Sequence, residues 1–248
     1  MHLKANPGFN STIPSYLVLD LILPSFVHLG GNPPIKPEKV KRGTGAIRKK
    51  ATVIGPVGGK TALIRTFVEK KYPPESFFPT IFENFVADLD IGCTLELAIW
   101  DTPGVDDYKG LRQLSYPDTD LFLLCFDIAR SDLLSDIEDV SSRQYILTGE
   151  SQWIPEVRKD YPKTPMVLVG CRKGVRDCRP GFNVLTSGGD PVSWATGEAV
   201  ARKIGAAMYM ECSAKTGEGV EAVFNEPFKV MFPDKVKKSW RRKLLLGA

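Results

Sequence analysis

No Cys-x-x-Cys pair occurs in this 248-residue chain, whose five cysteines are Cys93, Cys125, Cys171, Cys178 and Cys212. Without such pairs there is no dithiol motif to read, and Cys125 sits in the apolar run "LFLLCF", where a reduced thiol packs as a small hydrophobe. A reducing, intracellular compartment is the expectation. Long apolar runs are scarce as well. The best is residues 13 to 29, "IPSYLVLDLILPSFVHL", which Pro14, Asp20 and Pro24 interrupt short of the roughly 20 apolar residues a spanning helix needs. A secretory signal places positive charge just before an uninterrupted apolar stretch and small residues after it. Lys4 and "GGNPPIKP" meet neither condition, so secretion is not expected. No internal repeat is found either.

The sequence does carry an uneven charge. Residues 1 to 50 contain eight Lys/Arg and two acids, and residues 233 to 248 contain six and one. The ends therefore carry +6 and +5, and by difference from the total of +4 the middle carries −7. Basic ends on an acidic body fit an anionic partner such as a membrane surface, or simply solvated tails. Nucleic acid is not expected, because no reader motif is present and the aromatic residues of the tails are too scattered for a stacking platform.

With 43% hydrophobic and 25% charged residues, the chain suits one soluble domain with appendages. Residues 30 to 45, "GGNPPIKPEKVKRGTG", read as a linker, so the domain starts near Ala46. Beyond it the runs "KATVIG", "TALIRTFVEK", "ENFVADLD", "TLELAIWD", "LFLLCFDI", "MVLVG" and "AAMYMECSA" alternate strand-like and amphipathic patterns. Unbroken runs such as "LFLLCF" and "MVLVG" indicate strands buried on both faces. The expectation is an α/β fold, a doubly wound and mostly parallel sheet with ligands at the strand C-termini. Residues 141 to 151 and 179 to 191 interrupt this rhythm and read as surface inserts.

The first strand runs into "ATVIGPVGGKTALI", residues 51 to 64. A phosphate-binding loop reads G-x-x-x-x-G-K-[ST], whereas here only Pro56, Val57 and Gly58 separate Gly55 from Gly59-Lys60-Thr61. The remaining pattern still makes an anion site: backbone N–H groups and a helix dipole face the phosphates, Lys60 reaches them, and Thr61 can ligate Mg²⁺. Without a ligand the same residues would be an ordinary glycine-rich turn.

In order and spacing, "AIRKK", "FPTIFENFVADLD", "LAIWDTPG", "DYKGLRQLSYPDTDLFLLCF", "WIPEV", "PMVLVG" and "YMECSAKTGEGVEAVF" closely resemble the Rho family of small GTPases, over roughly residues 46 to 232. The resemblance implies a P-loop NTPase fold of the Ras-like G-domain type, with a six-stranded sheet. It assigns Gly55, Val57, Gly58, Gly59, Lys60, Thr61 and Ala62 to the phosphate loop, and Thr80, after Pro79, to the switch I threonine that senses Mg²⁺ and the γ-phosphate. Asp101 matches the metal-associated aspartate, and Gly104 completes a D-x-x-G element. Ser213-Ala214-Lys215 matches the loop that contacts guanine. GTP or GDP and Mg²⁺, the latter through Thr61, Thr80 and Asp101, are the implied ligands.

Departures from the family pattern bear on function. Counted back from Lys60, the loop keeps its N–H donors at Val57 to Thr61, so the missing residue falls near Gly55 and Pro56, the latter without an N–H. The base-reading element N/T-K-x-D reads Cys171-Arg172-Lys173-Gly174 here. Gly174 cannot accept the two hydrogen bonds the family's aspartate accepts from guanine. At about 1.5 to 3 kcal/mol each, their loss costs on the order of 10² to 10⁴ in base discrimination. Arg172 can stack on a purine, whereas Asp177 matches the family's next aspartate and is not taken as the reader. Val105 stands where the family's glutamine orients the attacking water, so no catalytic residue is assigned and intrinsic hydrolysis is expected to be slow. Asp106 and Asp107 match an acidic pair of the family and are not read as a catalytic dyad. Phe77 stands where the family has a tyrosine, and the end "RKLLLGA" has no cysteine four from the terminus, the family's prenylation signal.

The expected organisation is a disordered or loosely docked leader and linker over 1–45, a Rho-like G domain over 46–232 and a basic tail over 233–248. The expected function is a GTP-binding signalling switch with weakened base reading; the alternative is a nucleotide-free pseudo-GTPase acting as a protein-binding module. Effectors and regulators would meet the switch regions near 72–86 and 101–116, and an anionic membrane surface the tail near 235–246. The expected location is cytoplasmic, peripheral on the inner face of the plasma membrane.

Overall fold

The computed structural model describes residues 47–73, 82–138, 153–176 and 190–231. The leader, linker and basic tail lie outside the described residues. So do the 141–151 insert, all of the 179–191 insert except Asp190 and Pro191, and Phe77, Thr80 and Asp177.

Strand β4, Leu121–Asp127, is buried at every position, as its unbroken apolar run requires. Alternation sends Leu121, Leu123 and Cys125 to one face and Phe122, Leu124 and Phe126 to the other. The first face packs against α1, Lys60–Glu69, and α6, Val220–Met231, whose Phe67 and Phe224 rings stack with centroids 4.1 Å apart. The second face packs against α3, Ser131–Glu138, α4, Trp153–Asp160, and α5, Trp194–Lys203.

Around β4 the sheet runs β2-β3-β1-β4-β5-β6. Its other strands are β1, Ile47–Ile54; β2, Glu83–Asp90; β3, Thr94–Asp101; β5, Met166–Cys171; and β6, Met208–Glu211. Every pairing is parallel except β2 with β3, which a short connection joins as an antiparallel pair. Strand β2 lies at the edge and alternates exposed Asn84, Val86 and Asp88 with half-buried positions, the pattern of a strand with one wet face. The short α2, Lys109–Gln113, follows a 3₁₀ turn over Asp106–Tyr108. This is the doubly wound, mostly parallel six-stranded sheet expected from the sequence. Among the described residues no helix is long and apolar enough to cross a membrane.

Candidate nucleotide site

Parallel register gathers the chemically distinctive residues at one rim of the sheet. Val53 stands opposite Asp101, Ile54 opposite Leu124, and Asp127 opposite Cys171, so β1, β3, β4 and β5 end together. In a doubly wound sheet that rim is where ligands bind.

The loop between β1 and α1 is glycine-rich for steric reasons. A Cβ at Gly55, whose φ is +119°, would lie 2.0 Å from the Cys125 carbonyl oxygen, and one at Gly58 would lie 2.8 Å from Asp127 Cβ. The shortened loop thus lies directly on the ends of β4 and β5. Gly59, at φ 102°, opens α1 with no side-chain cap, so the first N–H groups of the helix face the cavity beside it. The buried Lys60 ammonium turns back to donate to the carbonyls of Gly55 at 2.7 Å and Pro56 at 2.8 Å. Burial pulls its pKa below the usual lysine value, while the nearby Asp101 opposes that shift.

One helical position on, the Thr61 hydroxyl donates to Asp101 Oδ2 at 2.5 Å. Asp101 is fully buried, and its second oxygen, Oδ1, has no partner among the described residues. Burial pushes this carboxyl up to about 6, with the Thr61 hydrogen bond and then Lys60 pulling the other way. A hydroxyl and a carboxylate with an unused buried oxygen fit a hard divalent cation, and Mg²⁺ takes only one or two protein ligands beside phosphate and water oxygens. Among the described residues no group of three or more His, Cys, Asp or Glu is placed to hold a metal.

Beyond α1 the rim opens into a cavity of roughly 410 Å³. Gly59, Ala62, Tyr72, Cys171, Arg172, Gly174, Cys212 and the run Ser213-Ala214-Lys215 all line it, bringing the phosphate loop, the degenerate base-reading element and the Ser-Ala-Lys loop to one space. The last two are tied by backbone bonds, Lys173 N–H to the Cys212 carbonyl at 3.0 Å and Cys212 N–H to that of Gly170 at 2.9 Å. A Cβ at Gly174 would meet only Ser213 Oγ, at 3.7 Å, an ordinary contact, so a Cβ has room there. Arg172 is half-exposed, and its guanidinium donates to Asp127 Oδ2 at 2.5 Å, which anchors it at the cavity wall.

Gly104 closes the other side. A Cβ there would fall 2.6 Å from Lys60 Nζ and 2.8 Å from the Val57 nitrogen, so D-x-x-G sits tight against the phosphate loop. The Val105 side chain is exposed, while its carbonyl accepts from Arg112 at 3.1 Å. Arg112 is fully buried, paired bidentately with Glu156 at 2.9 and 2.8 Å, and stacked on Trp153 at 4.3 Å. Tyr116 donates to the same carboxylate at 2.6 Å. Asp106 and Asp107 are exposed, Asp106 touching Arg112 at 3.4 Å.

Of the residues expected from the sequence, all but Thr80 meet at this rim; Thr80 lies outside the described residues. Asp127 and Tyr72 were not anticipated. A carboxylate ending a buried strand at the ligand edge was the available signal for Asp127, whereas nothing local marked Tyr72.

The profile of the Ras family matches residues 50–232. The chain therefore belongs to that family, and its sheet and loops form a Ras-like G domain. It is similar to the GTP-binding protein RHO1 of Candida albicans (strain SC5314 / ATCC MYA-2876), with 38% identity over 207 residues that cover 82% of this chain and 98% of that protein. Within the Ras family, this is a Rho-type small GTPase.

Proposed function

We propose that this Rho-type protein binds GTP and GDP with Mg²⁺ at the C-terminal rim of its sheet, reads the base weakly and hydrolyses GTP slowly. The observation that carries this reading is the buried, half-satisfied Asp101 carboxylate held by Thr61 beside the phosphate loop. In isolation such a carboxylate is costly, and a phosphate-borne cation would give its free oxygen a partner. Thr61, Asp101 and Thr80 would hold Mg²⁺, which would neutralise phosphate charge there. Lys60 would exchange two loop carbonyls for phosphate oxygens. Ser213, Ala214, Lys215 and Arg172 would face the base. Val105 offers no hydrogen bond to a water, hence the slow hydrolysis. Effector and regulator proteins would meet the surfaces near 72–86 and 101–116. The basic residues near 235–246 would hold the protein peripherally on anionic membrane from the cytoplasmic side.

Gly174 supplies the test. Gly174→Asp restores an acceptor where a Cβ has room, so its affinity for GTP should rise by roughly 10² to 10⁴ while affinity for ATP stays within a few-fold. Titration of both proteins with both nucleotides, with Mg²⁺ present, reads this. An equal gain for both nucleotides, or none for GTP, would remove Gly174 from the base site.

A second reading, the nucleotide-free binding module, draws on Lys60. Its ammonium is already satisfied by the carbonyls of the shortened loop. On that reading wild type and Gly174→Asp alike bind neither nucleotide.

A further inference from the structure

Three thiols converge beneath the phosphate loop, and the contacts proposed for nucleotide use none of their sulfurs. Cys125 projects from β4, Cys171 ends β5 and Cys212 follows β6, and all three are free and buried. Register brings them together. Cys125 stands opposite Val169, two residues before Cys171 on the same face of β5, while Gly170 stands opposite Glu211, the neighbour of Cys212.

Their surroundings differ. Cys171 and Cys212 form part of the cavity wall, and Cys125 does not. Above Cys171 lies Gly59, where an added Cβ would be 3.2 Å from Cys171 Cβ and 3.8 Å from its Sγ. The sulfur therefore sits under the N-terminus of a 10-residue helix, next to the residue that precedes the buried Lys60. Helix N-termini and ammonium groups favour a thiolate. The neighbouring thiols act in the same direction: Cys125 and then Cys212 hold Cys171 well below the usual thiol range, and Cys171 in turn pushes each of them up. Cys171 is the thiol that lies both under the start of α1 and on the cavity wall.

We propose that Cys171 is a covalent modification site for small soft electrophiles of the α,β-unsaturated carbonyl class, reached through the nucleotide cavity and closed when nucleotide fills it. The sulfur lone pair forms a bond to the β-carbon, and the π pair of the double bond moves to the α-carbon, which takes a proton from water. No oxidant or leaving group is required. An adduct on this sulfur would fill the space under Gly59, where even an added Cβ would lie 3.8 Å from the sulfur, and would occupy the space beside α1 that a nucleotide needs. The protection by nucleotide rests on the function proposed above; the reactive thiol does not.

N-ethylmaleimide is the probe, applied to the full-length protein with and without GTP and Mg²⁺. Peptide mass spectrometry follows each cysteine, and a parallel thermal shift reports whether nucleotide binds. Cys171 should label at least about tenfold faster than Cys125 and Cys212, and GTP that raises Tm should slow it by a similar factor. Labelling of Cys171 no faster than Cys125 overturns the proposal. A bound nucleotide that gives no protection overturns the cavity route. A reactive Cys171 in a protein whose Tm ignores GTP supports the thiol site and counts against the nucleotide reading alone. In Cys171→Ser, Cys125 and Cys212 should stay slow; fast labelling of both would mean that the probe reports opening of the fold, contradicting a site.

Discussion

At the scale of single residues, burial sets the chemistry of the charged groups. Lys50 lies in β1, its ammonium 2.7 Å from the Pro117 carbonyl and 3.9 Å from the centre of the Trp100 ring. Burial pulls its pKa from 10.5 to about 8, with Asp118 and Asp120 pushing back. Between those two values the unfolded chain keeps a proton that the native protein has lost, so native stability gains as pH rises. The comparison protein is Lys50→Met, which keeps a side chain against Trp100 and cannot titrate. As pH rises through 8 towards 10.5, Tm of the wild type should move upward relative to Lys50→Met. A difference that stays flat across that window would contradict the assignment. Single residues also mark where sequence reading reached and where it stopped. Gly174 and Val105 were legible because each departs from a fixed pattern at a known place. The carbonyl partners of Lys60 and the Asp127 partner of Arg172 were not, since a motif specifies residue types and spacing but not which way a side chain turns.

Elements show the same division. Strands β4 and β5 were legible because burial on both faces writes an unbroken apolar run. The five-residue α2 and the 3₁₀ turn before it were not, being too short to establish a period. What holds this segment comes from far along the chain, since Arg112 and Glu156 are 44 residues apart. The pair clamps Val105 and Asp106, just after D-x-x-G, onto α4. Arg112→Ala would leave the Glu156 carboxylate buried without its cation, a loss of about 3 to 5 kcal/mol in the usual case. Urea unfolding of Arg112→Ala should show a decrease of that size. A change below roughly 1 kcal/mol would mean that the pair is no more than a surface bridge in effect.

At the scale of the whole molecule, sheet order assembles the site. Six strands in the order β2-β3-β1-β4-β5-β6 bring together the glycine-rich loop, the buried Asp101 carboxylate and the cavity-lining segments, which lie far apart in sequence. Function turns on whether a loop one residue short still closes on phosphate. Gly58 and Gly59 let the loop lie on the strand ends, and Asp101 keeps an oxygen in reserve beside it. The most direct measurement is to purify the full-length protein in Mg²⁺, denature it and chromatograph what is released. The account predicts guanine nucleotide in near-stoichiometric amount, with GTP alongside GDP if, as proposed, Val105 slows hydrolysis. Folded protein that releases no nucleotide, and whose Tm does not respond to added GTP and Mg²⁺, would contradict it.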